Sequence, residues 1–309
     1  MPEPSDGRGA DPTPGADSTP GVTPGPAGTR FAEVRWFEAL DSTNRYLLNE
    51  ARRGAAEGLV VVADHQSAGR GRLGRRWEAP PAANLLVSVL LRPRLPVAAR
   101  HLASAVVALA ASDACEALSG VAVDVKWPND LLVGDRKLAG VLAEADVGPE
   151  DRSPIVVGIG INVAWPPRPT SHQTAQDDAP PVGKEESPRL GKVASDLANS
   201  ATSLLRESGR PVDRARLLER LLVGLEPRVA ALGSPGGRKA QAADLQDRCS
   251  TIGARVRVDT ESASFVGTAV AVTVEGHLVV DVDHEGPRTV VVGDVIHLRM
   301  APEQGRGPE

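Results

Sequence analysis

Two nearly uninterrupted apolar runs constrain this chain most, Leu59-Val60-Val61-Val62-Ala63 and Asn84-Leu85-Leu86-Val87-Ser88-Val89-Leu90-Leu91. Each reads as a buried strand. Between them lies Gln66-Ser67-Ala68-Gly69-Arg70-Gly71-Arg72-Leu73-Gly74-Arg75-Arg76-Trp77, with three glycines, four arginines and no acidic residue. Glycine lets a backbone turn tightly and approach a ligand closely. The planar, permanently charged guanidinium matches phosphate and carboxylate geometry. A loop of this composition mounted between core strands is suited to folding around an anion. By itself it is equally a solvated loop or a nucleic-acid patch, since phosphate attracts the same groups.

The whole chain narrows the choice. A length of 309 residues accommodates two modest domains, or one large domain with a small appendage. Aromatics make up only 3% of it, so alanine, valine and leucine must fill the core. The net charge of −5 argues against a general nucleic-acid binder; the positive charge of the loop is local. Cys115 and Cys249 are far apart and lack metal-ligand spacing, which favours reduced thiols over a disulfide. No segment approaches the roughly 18 uninterrupted apolar residues of a membrane span, and the run around Ala103 to Ala111 is too short. The N-terminus lacks signal-peptide architecture. The expectation is a cytoplasmic protein with no membrane contact.

Residues 1–29, dominated by Pro, Gly, Ser, Thr, Ala and Asp, read as a disordered tail, with folded structure starting near Phe31. Val34 to Phe37 is a first strand. Asp41 or Ser42 then caps a helix that Gly54 ends. Val97 to Leu118 is an alanine-rich helix. Val121 to Ala145 reads as a hairpin-like unit flanked by Lys126 and Lys137, with turns at Pro128-Asn129-Asp130 and Gly134-Asp135-Arg136. Ile155 to Val163 is a buried strand whose glycines allow close approach. Residues 166–188 form an exposed, flexible insertion. One amphipathic stripe follows at Val193, Leu197, Ala201, Leu204 and Leu205, and a second at Leu217 to Val229 with Asp213 as its cap. Gly233 to Gly237 breaks the chain at a domain boundary. From Ala254 onward, five short strands separated by turns suggest a small barrel.

Five stretches in this order make the chain resemble the biotin–protein ligases (biotin–[acetyl-CoA-carboxylase] ligases) over roughly residues 31 to 300. They are Asp41-Ser42-Thr43-Asn44, the Gly69 to Arg75 loop ending at Trp77, Lys126-Trp127-Pro128-Asn129-Asp130, Arg136-Lys137-Leu138-Ala139-Gly140 and Gly158-Ile159-Gly160-Ile161-Asn162. The resemblance implies an α+β fold. Residues 30–235 would be a mixed-sheet catalytic domain of the biotin/lipoate protein ligase type, and residues 250–300 a C-terminal SH3-like barrel. It also implies an ATP-dependent ligase that makes biotinyl-5′-AMP and transfers biotin to a lysine on the carrier domain of an acyl-CoA carboxylase. The first step brings an anionic carboxylate to an anionic phosphate, so the site must neutralise charge.

By the positions that match the family's motifs, Ser42, Thr43, Asn44 and Gln66 bind the ureido ring of biotin. Arg70, Gly71 and Arg72 cover the biotinyl phosphate, and Lys137 contacts carboxylate and phosphate oxygens. Lys126 meets the ATP phosphates, beside Asn129. Asp130 either orients the incoming lysine or helps to hold Mg²⁺. Trp77 packs over the closed loop or sits in the core, and Arg299 reaches back from the barrel towards the nucleotide. Arg72, Lys137, Lys126 and Asp130 are the expected catalytic set. The Pro/Gly tail stands where some family members carry a DNA-binding domain, so no DNA partner is expected, and the protein is a monomer or homodimer. Two other readings stand beside this one. Lipoate or octanoate ligases and transferases have a related domain but lack the Gly-Arg-Gly-Arg loop followed by Lys-Trp-Pro-Asn-Asp. A non-enzymatic nucleic-acid binder would show steep salt dependence and indifference to biotin.

Overall fold

The computed structural model describes residues 20–145, 153–166 and 200–298. Eight strands make one mixed sheet: β1 (Gly21–Pro24), β2 (Glu33–Leu40), β3 (Val60–Gln66), β4 (Leu85–Leu91), β5 (Asp124–Lys126), β6 (Asp130–Val133), β7 (Arg136–Ala145) and β8 (Ile155–Ile161). Their spatial order is β1-β2-β3-β4-β8-β7-β6-β5. Only β2 and β3 run parallel, because the connection between them carries helix α1 (Thr43–Arg52); the other neighbours are antiparallel.

One face of the sheet is closed by α2 (His101–Ser119), backed by the short α3 (Leu204–Ser208), α4 (Arg214–Ala231) and α5 (Pro235–Asp247). The alanines of α2 let it lie between the sheet and α4 with side chains buried all round. Such a helix belongs inside a protein core. With its lead-in turn it spans Val97–Ser119, 23 residues, whose most apolar 18-residue window has a mean hydropathy of 1.4 and is 78% buried. Arg100, His101, Asp113 and Glu116 interrupt it, so it holds no unbroken apolar run of about 18 residues. It is the single helix among the described residues long and apolar enough to cross a membrane, and it is a core helix. On the opposite face, α1 covers Phe37, Val61, Leu90 and Val156 at one end and leaves the remainder of that face open.

The C-terminal strands β9 (Arg255–Asp259), β10 (Ser264–Val272), β11 (Leu278–Val282), β12 (Gly286–Val290) and β13 (Asp294–His297) form an antiparallel sheet in the order β12-β11-β10-β9-β13. Its core of Val256, Val258, Leu278, Val280, Val290 and Val295 includes a residue from the large domain, Trp127. That indole is 1% exposed and donates from Nε1 to the carbonyl of Gly276 at 3.0 Å. Beside it, Val125 pairs with the chain entering the barrel (Val125 N to Arg248 O 3.0 Å, Ser250 N to Val125 O 2.9 Å). The small sheet is thus fastened to β5 by a buried aromatic and a short ladder.

The α+β class, the mixed sheet and the five C-terminal strands agree with the sequence reading. Three local expectations do not. Residues 21–24 of the expected tail pair with β2 as an edge strand, since an edge needs only backbone groups to bond. The glycines expected to break the chain instead open α5, capped by Ser234 with Pro235 in its first turn. Ala201 is bridged to Lys137 rather than helical, and the helix starts only at Leu204; Val193 and Leu197 lie outside the described residues. The expected insertion also lies outside them from residue 167 on, as does Arg299. Asp213 caps α4 as expected, accepting from Arg216 N at 2.8 Å. Both cysteines are buried and free.

Trp127→Ala should cost about 3–5 kcal/mol in chemical denaturation, from an emptied site between sheet and barrel. Trp127→Phe should cost about 1–3 kcal/mol, because it strands the Gly276 carbonyl. Equal losses for the two variants would show that the indole hydrogen bond and ring volume are not the fastening.

Candidate active site

The site follows from how β4 and β8 divide their two faces. Leu85, Val87, Val89 and Leu91 with Ile155, Val157, Ile159 and Ile161 point into the α2 core. The alternate positions near the centre of the sheet are Ser88, Gly158 and Gly160, so the open face there is almost bare backbone. The bared space is used. A Cβ on Gly158 would lie 2.2 Å from Asn44 Oδ1, and one on Gly160 would lie 2.5 Å from the Trp77 ring.

Against that backbone stands a narrow neutral slot. Ser42 caps α1, accepting from Arg45 N at 3.4 Å. Thr43 donates to Gln66 Oε1 from its backbone (2.8 Å) and its hydroxyl (3.1 Å). The Ser88 hydroxyl is 2.7 Å from Thr43 Oγ1 and 2.6 Å from Asn44 Oδ1. Asn44 Nδ2 donates to the Leu142 carbonyl (3.1 Å) and Glu144 Oε2 (2.8 Å). These bonds hold a fixed set of amide and hydroxyl groups around a lining of Ser42, Thr43, Asn44, Gln66, Gly158 and Gly160. The slot's free volume is about 30 Å³, because Trp77 lies across it. The buried indole Nε1 of Trp77 has no hydrogen-bond partner among the described residues.

At Arg70, Trp77, Gly140 and Leu142 the slot opens into a larger cleft of about 480 Å³. Lys126 and Asp130 face each other across the β5–β6 pair. Lys137 reaches them through a bulge: Leu131 pairs with Ala139 and Leu132 with Lys137, leaving Leu138 extra. A regular strand would send residues 137 and 140 to opposite faces; the inserted residue brings both to the cleft. A Cβ on Gly140 would sit 3.2 Å from Lys137 Nζ. Lys137 Nζ lies 2.6 Å from Asp130 Oδ1, an ion pair without hydrogen-bond alignment, and 5.7 Å from the centre of the Trp77 ring.

The Gly–Arg loop roofs this cleft. It closes on itself through Gly71 N to Arg75 O (2.7 Å) and Trp77 N to Gly69 O (3.0 Å). Its tip turns through Leu73 (φ 55°) and Gly74 (φ 72°). Arg70 pairs with Glu144 at 3.0 Å, and Arg72 donates to Asn129 Oδ1 (3.3 Å) and to the Gly293 carbonyl (3.2 Å). Burial lowers the Arg72 pKa, opposed by Asp294 and Asp130. Asn129 is itself held by donating to the Val141 carbonyl at 2.9 Å. Behind Arg72, burial holds the His101 imidazole down to about 4, helped by nearby His277 and Arg72, so this ring is neutral at pH 7.

Every expected site residue among those described lines the slot or the cleft: Ser42, Thr43, Asn44, Gln66, Arg70, Gly71, Arg72, Trp77, Lys126, Asn129, Asp130 and Lys137. Of the two readings of Trp77, neither pure core nor loop cover fits alone, since the ring lies on the sheet between slot and cleft. Sequence reasoning missed Ser88, Glu144, Gly293 and Asp294. Ser88 left a signal, being the one hydroxyl inside the run from Leu85 to Leu91. The others left none, because their partners are distant in sequence.

If Gly158 is glycine because Asn44 occupies its Cβ space, Gly158→Ala should destabilise the fold by about 1–3 kcal/mol through overpacking. Adding Asn44→Ala should recover part of that loss. A double-mutant cycle by denaturation should therefore give a coupling of about 1 kcal/mol or more, and additive losses would refute the steric account.

Comparison with known proteins points the same way. Residues 36–162 match the model of the biotin/lipoate A/B protein ligase family. The chain is 36% identical over 281 residues to the biotin–[acetyl-CoA-carboxylase] ligase of Mycobacterium tuberculosis, an alignment covering 88% of this chain and 92% of that protein. It is 29% identical over 258 residues to the bifunctional ligase/repressor BirA of Bacillus spizizenii, covering 84% and 72%. The biotin protein ligase from Aquifex aeolicus, solved in complex with biotin and ATP, shares the fold with a TM-score of 0.66 at 24% identity, over 86% of this chain and 99% of that one. With a relative matched along almost its whole length and these motifs assembled around one cleft, the chain belongs to the biotin protein ligases of the biotin/lipoate protein ligase family.

Proposed function

We propose that this ligase condenses biotin with ATP to biotinyl-5′-AMP and pyrophosphate, then passes the biotinyl group to a lysine on the carrier domain of an acyl-CoA carboxylase. The observation that carries this reading is the junction of two unlike compartments. A slot of neutral amides and hydroxyls opens directly into a cleft lined by Arg70, Arg72, Lys126 and Lys137. The ureido ring of biotin is neutral and offers both donors and acceptors, which suits Ser42, Thr43, Asn44, Gln66 and Ser88. Its carboxylate would extend past Gly140 towards Lys137.

The reacting carboxylate oxygen attacks the α-phosphorus, and pyrophosphate leaves. Negative charge accumulates on the equatorial oxygens in that step, and Arg72, Lys137 and Lys126 would stabilise it, whereas the Gly71 N–H is already donated to the Arg75 carbonyl. Asp130 withdraws from Lys137 as phosphate takes its place and is then available to orient the incoming lysine. No group of three or more potential metal ligands occurs among the described residues. Mg²⁺ commonly binds through one or two carboxylates and the substrate's own phosphates, and Asp130 fits that mode. Bound there, Mg²⁺ would neutralise phosphate charge. Lipoate or octanoate would leave the hydrogen-bonding groups of the slot unmatched, which disfavours the sister reaction.

The slot's free volume of about 30 Å³ cannot take a bicyclic ring, so biotin must displace the Trp77 indole from Gly160. Biotin binding should therefore change the tryptophan fluorescence, and Trp77→Phe should abolish most of the change; an unaltered signal in that variant would refute the displacement.

Intact-mass analysis of a biotin carrier domain, incubated with the protein, Mg-ATP and biotin, tests the reaction. The expected result is a gain of one biotin, lost when either small molecule is omitted. A gain only with lipoate or octanoate on a lipoyl domain would overturn the assignment. Arg72→Gly should keep the fold and release biotinyl-AMP about 10- to 100-fold faster, since it removes the charged donor over the phosphate. Retention equal to the wild type in a release assay would refute shielding of the anhydride by the loop.

A further inference from the structure

Resting on that reading, we propose that the start of β13 and the Gly293 turn before it hold the Gly–Arg loop shut over the adenylate, with Asp294 as the positioning residue. Because Gly69 to Trp77 closes on its own backbone, the loop behaves as a small hairpin that can move as one piece. What holds the hairpin in place is its side-chain ties to other elements. Arg70 binds Glu144 on β7, and Arg72 binds Asn129. The remaining ties at the tip both go to the barrel: Arg72 donates to the Gly293 carbonyl, and Arg75 forms an ion pair with Asp294. The same carboxylate acts on the Arg72 guanidinium, so one acidic group faces two loop arginines.

Gly293 suits this role. A side chain there would meet Val258, Val290 and the Asp259 carbonyl at 3.2–3.3 Å, so glycine lets the turn lie close against the barrel while presenting its carbonyl to Arg72. Trp127 fastens the barrel to β5, and the tip of the loop is therefore braced by a rigid body. A loop of glycine and arginine loses entropy on closing, and fixed partners outside the ligand offset that loss. The barrel, which also lines the cleft with Val295 and Ile296, thereby takes part in retaining the intermediate through the loop.

The test is a chase of preloaded biotinyl-5′-AMP from the full-length protein. The Arg75 side chain of the pair is 64% exposed, so its worth is that of a surface ion pair. Asp294→Asn should speed release about two- to fivefold. Arg75→Gln, on the exposed loop, should do the same without touching the barrel. The charge-swapped pair Arg75→Asp with Asp294→Arg should release the adenylate more slowly than either of its component single substitutions. Raising salt should speed release from the wild type and leave Arg75→Gln nearly flat, a difference that a general loss of stability would not produce. Wild-type release rates in both single variants, or a swapped pair no better than its parents, would overturn the proposal. A wild type that retains no adenylate at all would overturn the ligase reading beneath it.

Discussion

The structure depends on a stretch of sheet surface kept free of side chains. At Gly158 and Gly160 the open face of β8 is backbone alone, and the Asn44 carboxamide and the Trp77 ring occupy the volume that Cβ atoms would need. Everything else in the site is arranged around that surface. α1 can bring its capped N-terminus down onto the sheet because Gly158 and Ser88 yield there. The other face of the same strands stays fully apolar and packs on α2, so the core loses nothing by the exchange. Alternation along a strand makes this division natural: one face serves stability while the other is available for binding.

Charge is concentrated by a different device. Lys126 and Asp130 meet through the register of a short hairpin, and Lys137 joins them only because Leu138 is bulged out of the β6–β7 ladder. The result is a cluster in which a lysine and a carboxylate neutralise each other beneath two arginines. A partly buried pair of this kind costs less to hold than a lone cation, and an arriving phosphate can replace the carboxylate partner. The loop above, though rich in arginine, is likewise committed to defined acceptors: Glu144, Asn129, the Gly293 carbonyl and Asp294. Trp127 then links this charged region to the barrel by filling the barrel's own core.

The legible part of the sequence was the local part. Apolar runs marked β3, β4 and β8; Asp213 marked the start of α4; turn residues separated the barrel strands. The Gly–Arg loop and the two lysines stood out as charge among apolar neighbours. What failed to show followed a common rule. Residues 21–24 contribute backbone rather than apolar surface, so their composition looked like a tail. Gly236 and Gly237 sit in the first turn of α5, where Ser234 and Pro235 outweigh glycine's reluctance to be helical. Glu144 and Asp294 are ordinary surface acids by sequence, and only their partners make them part of the site.

The sequence by itself determined the local elements and their order, because periodicity, caps and turns act over a few residues. The resemblance of five short motifs to the biotin–protein ligases carried the class of fold and the kinds of group brought to the chemistry. The tertiary structure decided where those groups meet. It set the face of β8 against α1, used the Leu138 bulge to turn Lys137 into the cleft, sent Trp127 into the barrel and laid the loop against Gly293 and Asp294. Those outcomes depend on strand register and on packing between segments more than a hundred residues apart, such as Trp127 with Gly276 and Arg75 with Asp294. No local pattern carries that information.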